Sequence, residues 1–191
     1  MKEIVRKQRQ LRFDEIHALV REISVNSVEE YEALPVEERQ KRKERFWDCL
    51  LAWYIDGFAA GLIFIDRDLG LPDPYQFLDI TYPNGETVSD IYDKDITNPD
   101  KFLRMVEAES NRVWNTGMVN AGEGVSGLYK TWETMEDDRV RDTHWFLQSK
   151  KIPFEEEFIS ISGDSALAPG MFETAEENCN CRCFLTLSRE K

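Results

Sequence analysis

The stretch Lys130-Thr131-Trp132-Glu133-Thr134, continued by Asp137-Asp138-Arg139-Val140-Arg141-Asp142-Thr143-His144, decides the fold, and Asn178-Cys179-Asn180-Cys181-Arg182-Cys183 answers it near the end of the chain. Residues 128–135 alternate, which puts Leu128, Lys130, Trp132 and Thr134 on one side of a strand. Asp137 or Asp138 then suits the cap of a helix running from Arg139 to about Gln148. Val140, His144 and Leu147 share one face of that helix, and Arg141 lies three residues before His144. The last segment alternates again, with Cys181, Cys183, Leu185 and Leu187 on one side and Arg182, Phe184 and Thr186 on the other. Strand, short charged helix and strand gather a Trp, two Arg, a His and up to three Cys into one small volume, the core of a C-terminal domain.

Upstream, Asn98-Pro99-Asp100 is a strong helix start: a capping Asn, Pro in the first turn and an acid beside it. The stripe Phe102, Val106, Glu109, Val113 follows helical spacing and puts Glu109 on the apolar face. A carboxylate there must be paired, protonated or catalytic. The helix should end near residues 117–127, where Gly117, Gly122, Gly124 and Gly127 cluster. Downstream, Phe158 to Ser162 reads as a further strand, and residues 163–178 as an irregular loop containing Pro169-Gly170. Asp66 to Pro74 is a breaker segment. Pro83-Asn84-Gly85 signals a turn, with Leu78–Tyr82 as one arm of a hairpin. Val88 to Ile96 is ambiguous.

The N-terminal part reads as helical. In residues 2–23 an apolar stripe of Ile4, Leu11, Ile16, Leu19, Val20 and Ile23 opposes a charged face. Ser27-Val-Glu-Glu30 is a capping box, and Pro35 suits the first position of the next helix. That helix starts charged and is apolar on most faces from Phe46 to Ile65, so its partners are the C-terminal domain or another subunit. The run is long enough to suggest a membrane span. Asp48 and Asp56 lie inside it, and each would cost roughly 2.5–3.5 kcal/mol at mid-membrane, so a buried helix in a protein with no membrane role is expected.

At 191 residues, 41% hydrophobic and 12% aromatic, the chain can bury a real core. Its formal net charge of −13 opposes a general role on nucleic acid or anionic membranes. The charge is uneven: residues 1–45 carry 11 basic and 10 acidic side chains. Lys2, Arg6, Lys7, Arg9 and Arg12 form a basic arm, read as a solvated helix face or as a grip for an acidic partner. The charged N-terminus, with no apolar segment after it, is not expected to act as a secretory signal. Cys49 stands alone in the apolar helix while Cys179, Cys181 and Cys183 cluster, which is not a secreted disulfide framework and suits a reducing cytoplasm.

Three chemistries compete for these residues. His144, Cys181 and Cys183 are a candidate metal set, since thiolate and imidazole suit zinc, although Cys-x-Cys is not the usual knuckle spacing. Buried structural thiols are the plainer reading, and a disulfide outside the cell stays open. His144 as a general base, alone or with a nucleophilic Cys, lacks a visible oxyanion loop, and no phosphate-binding loop is present. The preferred reading is a buried charge cluster of Glu109 with Arg141, Arg139 or Arg182 that fixes one packing arrangement.

Residues from about 99 to 187 resemble the phage Mu F-like head morphogenesis family, the minor head proteins of tailed bacteriophages. The resemblance rests on Glu109 with Asn115 and Gly117, on Lys130, Trp132 and Thr134, and on Asp137, Asp138, Arg139, Arg141 and His144. It continues through Ile152, Pro153 and Phe158, and then Pro169, Gly170, Asn180, Cys181, Arg182 and Cys183. The family's Asp-Gly after the His is replaced here by Gln148-Ser149, and Cys179 is an addition. The resemblance implies a virion component, made in the host cytoplasm and located at the portal or inner head. It would bind portal or major capsid subunits, with loose contact to packaged DNA and no small-molecule substrate. It also implies a structural motif of Glu109, Trp132, Asp138, Arg139, Arg141, His144 and Arg182 rather than a catalytic set.

The expected fold is α+β: a helical N-terminal region (1–70), a turn-rich connector (71–98) and a domain of helices on a short antiparallel sheet (99–191). The expected function is a minor head protein acting by attachment, with no resident cofactor unless zinc. The rivals are a toxin-like transferase or nuclease using Glu109, Arg141 and His144, and a zinc-bound interaction module.

Overall fold

A computed structural model describes residues 2–189. The chain begins with α1 (Lys2–Ile23), α2 (Val28–Ala33) and α3 (Val36–Ile65), followed by α4 (Tyr75–Leu78), α5 (Val88–Asp95) and α6 (Pro99–Gly122). Then come β1 (Leu128–Glu133), α7 (Asp142–Trp145), β2 (Lys151–Pro153), β3 (Phe158–Ile159), β4 (Ser165–Ala166), α8 (Ala175–Asn178) and β5 (Phe184–Arg189). The fold is α+β. A three-stranded antiparallel sheet of order β2-β1-β5 lies beside the helices, and β3 and β4 form a separate pair.

α6 is the hub. Asn98 caps it by accepting from Lys101 N, and Pro99 occupies its first turn. It is buried on almost every face, from Phe102 to Gly122. α3 packs along it at backbone distance, which two glycines make possible. A Cβ on Gly57 would lie 2.1 Å from the Trp114 carbonyl oxygen, and one on Gly117 would lie 2.4 Å from that of Tyr54. α3 is long and apolar enough to cross a membrane by length and composition. Here its inner face, Phe46, Leu50, Trp53, Tyr54, Phe58 and Ile65, is buried. Asp56 is satisfied by Arg12, whose Nε donates at 2.8 Å. One hydrophobic cluster runs from Val5 to Leu187, so residues 2–70, 71–98 and 99–189 share a core.

Several local expectations need correction. The buried face of α1 is Val5, Arg9, Phe13, Ile16, Val20 and Ile23, while Ile4 and Leu11 are each 66% exposed. The stripe is rotated because Phe13 packs on Trp53 and Arg9 sits deeper still among aromatic rings. Ser27 caps α2, but Glu30 accepts from Asn26 N, one residue before the position a capping box requires. Pro35 is the cap of α3 rather than its first residue. The hairpin at 78–87 shrinks to a single bridge, Thr81 to Thr87. Thr87 and Asp90 instead form a reciprocal capping box that starts α5.

The helix expected over 139–148 is only the turn Asp142–Trp145. Arg139 N bonds to the Asp137 side chain at 3.2 Å, Arg141 is extended, and Ser149 (φ 58) stops the turn beyond. The strand expected to reach Ser162 stops at Ile159, where the chain turns through Gly163 to pair with Ser165–Ala166. β5 begins at Phe184, not Cys181. Upstream of it the main chain is bound by side chains: Arg9 Nη2 donates to Arg182 O at 3.3 Å, and Asn115 Nδ2 to Cys183 O at 3.2 Å. Asn115 Oδ1 then accepts from Leu185 N at 3.0 Å, where the ladder starts.

Candidate functional site

β1 alternates as its sequence suggests, burying Leu128, Lys130 and Trp132, with Thr134 just beyond. In register, Lys130 lies opposite Leu187 and Trp132 opposite Leu185. The Trp132 ring is the floor of the site. His144 stands edge-on to it at 5.5 Å between centroids, with Phe158 at 5.2 Å and Phe172 at 5.6 Å. Cys183 Sγ is 3.5 Å from His144 Nδ1. One donor atom each from His144, Cys181 and Cys183 lie within 4.8 Å of one another, and all three residues are buried. Trp132, His144 and the last Cys therefore share an interior.

Glu177 meets the far side of the imidazole. Its Oε2 is 3.1 Å from His144 Nε2, though not aligned for a hydrogen bond. Thr143 Oγ1 (3.0 Å) and Ser162 Oγ (2.8 Å) donate to the same carboxylate and hold it. Burial opposes a charged imidazole, but the Cys181 thiolate, and after it Glu177, hold the His144 pKa above its ordinary value. Cys181 is drawn well below the usual thiol range, first by the Cys183 thiol and, against the cost of burial, by His144. Burial, and then Cys181 itself, push Cys183 well above that range.

Beside the sulfurs lies a cavity of about 10 Å³, lined among others by Arg139, Arg141 and Arg182. That is room for about one water or ion. Arg141 Nη1 is buried with no hydrogen-bond partner among the described residues.

The expected pairing of Glu109 with Arg141, Arg139 or Arg182 does not form among the described residues. Glu109 is bound by Arg112 Nε at 2.8 Å and by the Tyr82 hydroxyl. Arg112 continues to Phe77 O (2.9 Å) and Leu78 O (3.0 Å), tying α4 to α6. Burial, and next the Glu109 charge, push the Tyr82 pKa up, while Glu109 outweighs burial to raise that of Arg112. Glu109 also lines a separate cavity of about 550 Å³ with Ile91, Lys101, Arg104, Met105 and Phe172. Arg139 pairs with Glu107 (3.5 Å), Arg182 with Asp137, and Asp138 is exposed.

The basic arm is neither a free face nor a grip for a partner at its core positions. Arg6 donates to Thr134 O (3.0 Å) and Glu136 (2.6 Å), and Lys2 reaches Glu133 (3.4 Å). Arg9 is 0% exposed, its guanidinium 4.9 Å from Trp114, 5.2 Å from Trp53 and 5.5 Å from Phe184. Sequence reasoning missed Arg9, Arg112, Tyr82 and Glu177. Arg112 was legible as the i+3 neighbour of Glu109. Nothing local marks the other three.

Against known proteins, the family model described as Phage Mu protein F like protein matches residues 84–186. The minor head protein GP7 of Bacillus phage SPP1 is 36% identical over 80 residues, 40% of this chain and 26% of that protein. The NAD(+)--arginine ADP-ribosyltransferase EFV of Enterococcus faecalis is 36% identical over 85 residues, 42% of this chain and 17% of that protein. The chain thus spans well under a third of either relative's length. No solved structure matches. The matched segment holds α6, β1, β2, the start of β5 and the His144–Cys183 interior, and with it the chain belongs to the phage Mu protein F like family.

Proposed function

We propose that this chain is a phage head component that works by attachment, seating on a portal or capsid subunit in the virion. The observation that carries the reading is the family match over residues 84–186, joined by 36% identity to a minor head protein. The geometry agrees with it. The charged residues Glu109, Glu133 and Arg182 are spent on internal pairs, which favours a rigid body that presents surfaces over a site that turns over substrate. The acidic remainder of the chain disfavours tight DNA binding and leaves loose contact with packaged DNA as the most it supports.

The test is co-sedimentation of the purified chain with portal assemblies and with emptied heads of one phage. Pelleting with either supports attachment. A chain left in the supernatant with both overturns it. A second reading, an enzyme, draws on the transferase relative and on the cavity beside Glu109. Glu109 is already held by Tyr82 and Arg112, so it reaches a substrate only if that pairing opens.

A further inference from the structure

We propose that His144, Cys181 and Cys183 bind one thiophilic divalent cation, zinc being the natural candidate, with Glu177 orienting the histidine. In a tetrahedral site with bonds of roughly 2.3 Å to sulfur and 2.0–2.1 Å to nitrogen, N and S stand about 3.5 Å apart and two sulfurs about 3.8 Å apart. Here Nδ1 and Cys183 Sγ are 3.5 Å apart, and the three donors fit within 4.8 Å. An N–H···S hydrogen bond has the same length, so that distance alone does not separate a metal site from packed thiols.

Three further observations do. The donors converge from two distant parts of the chain, α7 and the segment before β5. The outer nitrogen of the imidazole faces a carboxylate that two hydroxyls hold in place. A carboxylate on the non-ligating nitrogen is the usual partner of a metal-bound histidine, since it orients the ring and raises its basicity. And the cavity beside the sulfurs leaves a fourth position, next to an Arg141 Nη1 that has no hydrogen-bond partner among the described residues. A water or hydroxide there would accept from Arg141, a role a third thiol could not fill as well.

The charges balance. Binding releases the thiol protons, and two thiolates with a neutral imidazole cancel the charge of a divalent ion. Asn180, in the left-handed region (φ 56), turns the chain just before the ligands, and Cys181 and Cys183 then follow at alternate positions. Cys-x-Cys thus serves without a knuckle.

The test uses the whole chain, purified with a non-thiol reductant, stripped with a chelator and titrated with Co²⁺ and then Zn²⁺. The expected result is one ion per chain, thiolate-to-cobalt charge-transfer absorption, and its loss on adding Zn²⁺. The absorption should persist in Cys179→Ser and vanish in the Cys181→Ser/Cys183→Ser pair. Glu177→Gln should keep the spectrum and weaken affinity about 10–100-fold in a chelator competition. A parent chain that binds no Co²⁺ above a buffer blank overturns the proposal without recourse to any variant. So does an absorption that survives in the double variant, and unchanged affinity in Glu177→Gln removes the orienting role.

Discussion

Gly57 of α3 and Gly117 of α6 face each other where the two helices touch backbone to backbone, and a Cβ on Gly117 would stand 3.2 Å from the Gly57 carbonyl carbon. The obstacles on both sides are backbone atoms, which cannot move aside singly. Gly57→Ala or Gly117→Ala should therefore cost about 2–3 kcal/mol, roughly 5–10 °C in Tm for a chain this size. Gly70→Ala meets nothing within 4 Å and should leave the melting curve in place. Thermal unfolding of the three variants checks the contrast.

Arg9 is a buried cation with Nε and Nη1 unpartnered among the described residues and aromatic rings around it. Burial lowers its pKa, against the raising effect of the Cys181 and Cys183 thiols. Removing such a charge in favour of an apolar side chain of similar length is often neutral or stabilising. Arg9→Met should stay within about 1 kcal/mol of the parent in denaturant unfolding, and Arg9→Ala, which leaves a cavity, should lose about 2–4 kcal/mol. Equal losses in both would show that the charge itself, not the volume, holds α1 in place.

The Glu109–Arg112 pair is buried on both sides, whereas no hydrogen bond or ion pair joins Arg141 to Glu109 among the described residues. Breaking a buried pair from one side costs roughly 3–5 kcal/mol. A double-mutant cycle of Glu109→Gln with Arg112→Met should show a coupling of about 1–3 kcal/mol. The same cycle with Arg141→Met in place of Arg112→Met should return a coupling near zero.

Lys130 is 1% exposed, its Nζ 5.7 Å from the Phe154 ring and 5.5 Å from Phe158. Burial brings its pKa down to about 8, against the raising effect of Glu155, Glu157 and Glu156. A lowered lysine pKa means that the unfolded chain holds more protons between pH 8 and 10.5, so this residue adds stability as pH rises through that window. Lys130→Met should be more stable than the parent at pH 7, by about 1–2 kcal/mol. The gap should close as pH climbs from 8 toward 10.5, as read by unfolding both proteins across that range. A gap independent of pH would mean that packing, not charge, separates them.

Much of this architecture was readable one segment at a time. The Asn98-Pro99-Asp100 start of α6, the inward set Leu128, Lys130, Trp132 and Thr134, and the meeting of His144 with Cys183 all appear where the residue pattern put them. Helix caps and strand alternation depend on neighbours within about four residues, so the order of side chains alone determines them.

Only the tertiary structure decided who pairs with whom. Arg9 and Arg182 O are 173 residues apart, and Arg6 and Thr134 O are 128 apart. The basic arm therefore read as surface when Arg6 and Arg9 belong to the core. Glu109 read as a partner for distant arginines when Arg112, one turn away, had already taken it. Glu177 gave no sign of its place behind His144, because a carboxylate in a loop looks solvated until a fold buries it. Burial and long-range charge pairing are properties of the packed chain. They emerge when α1, α3 and β5 close on α6, and no window of sequence contains them.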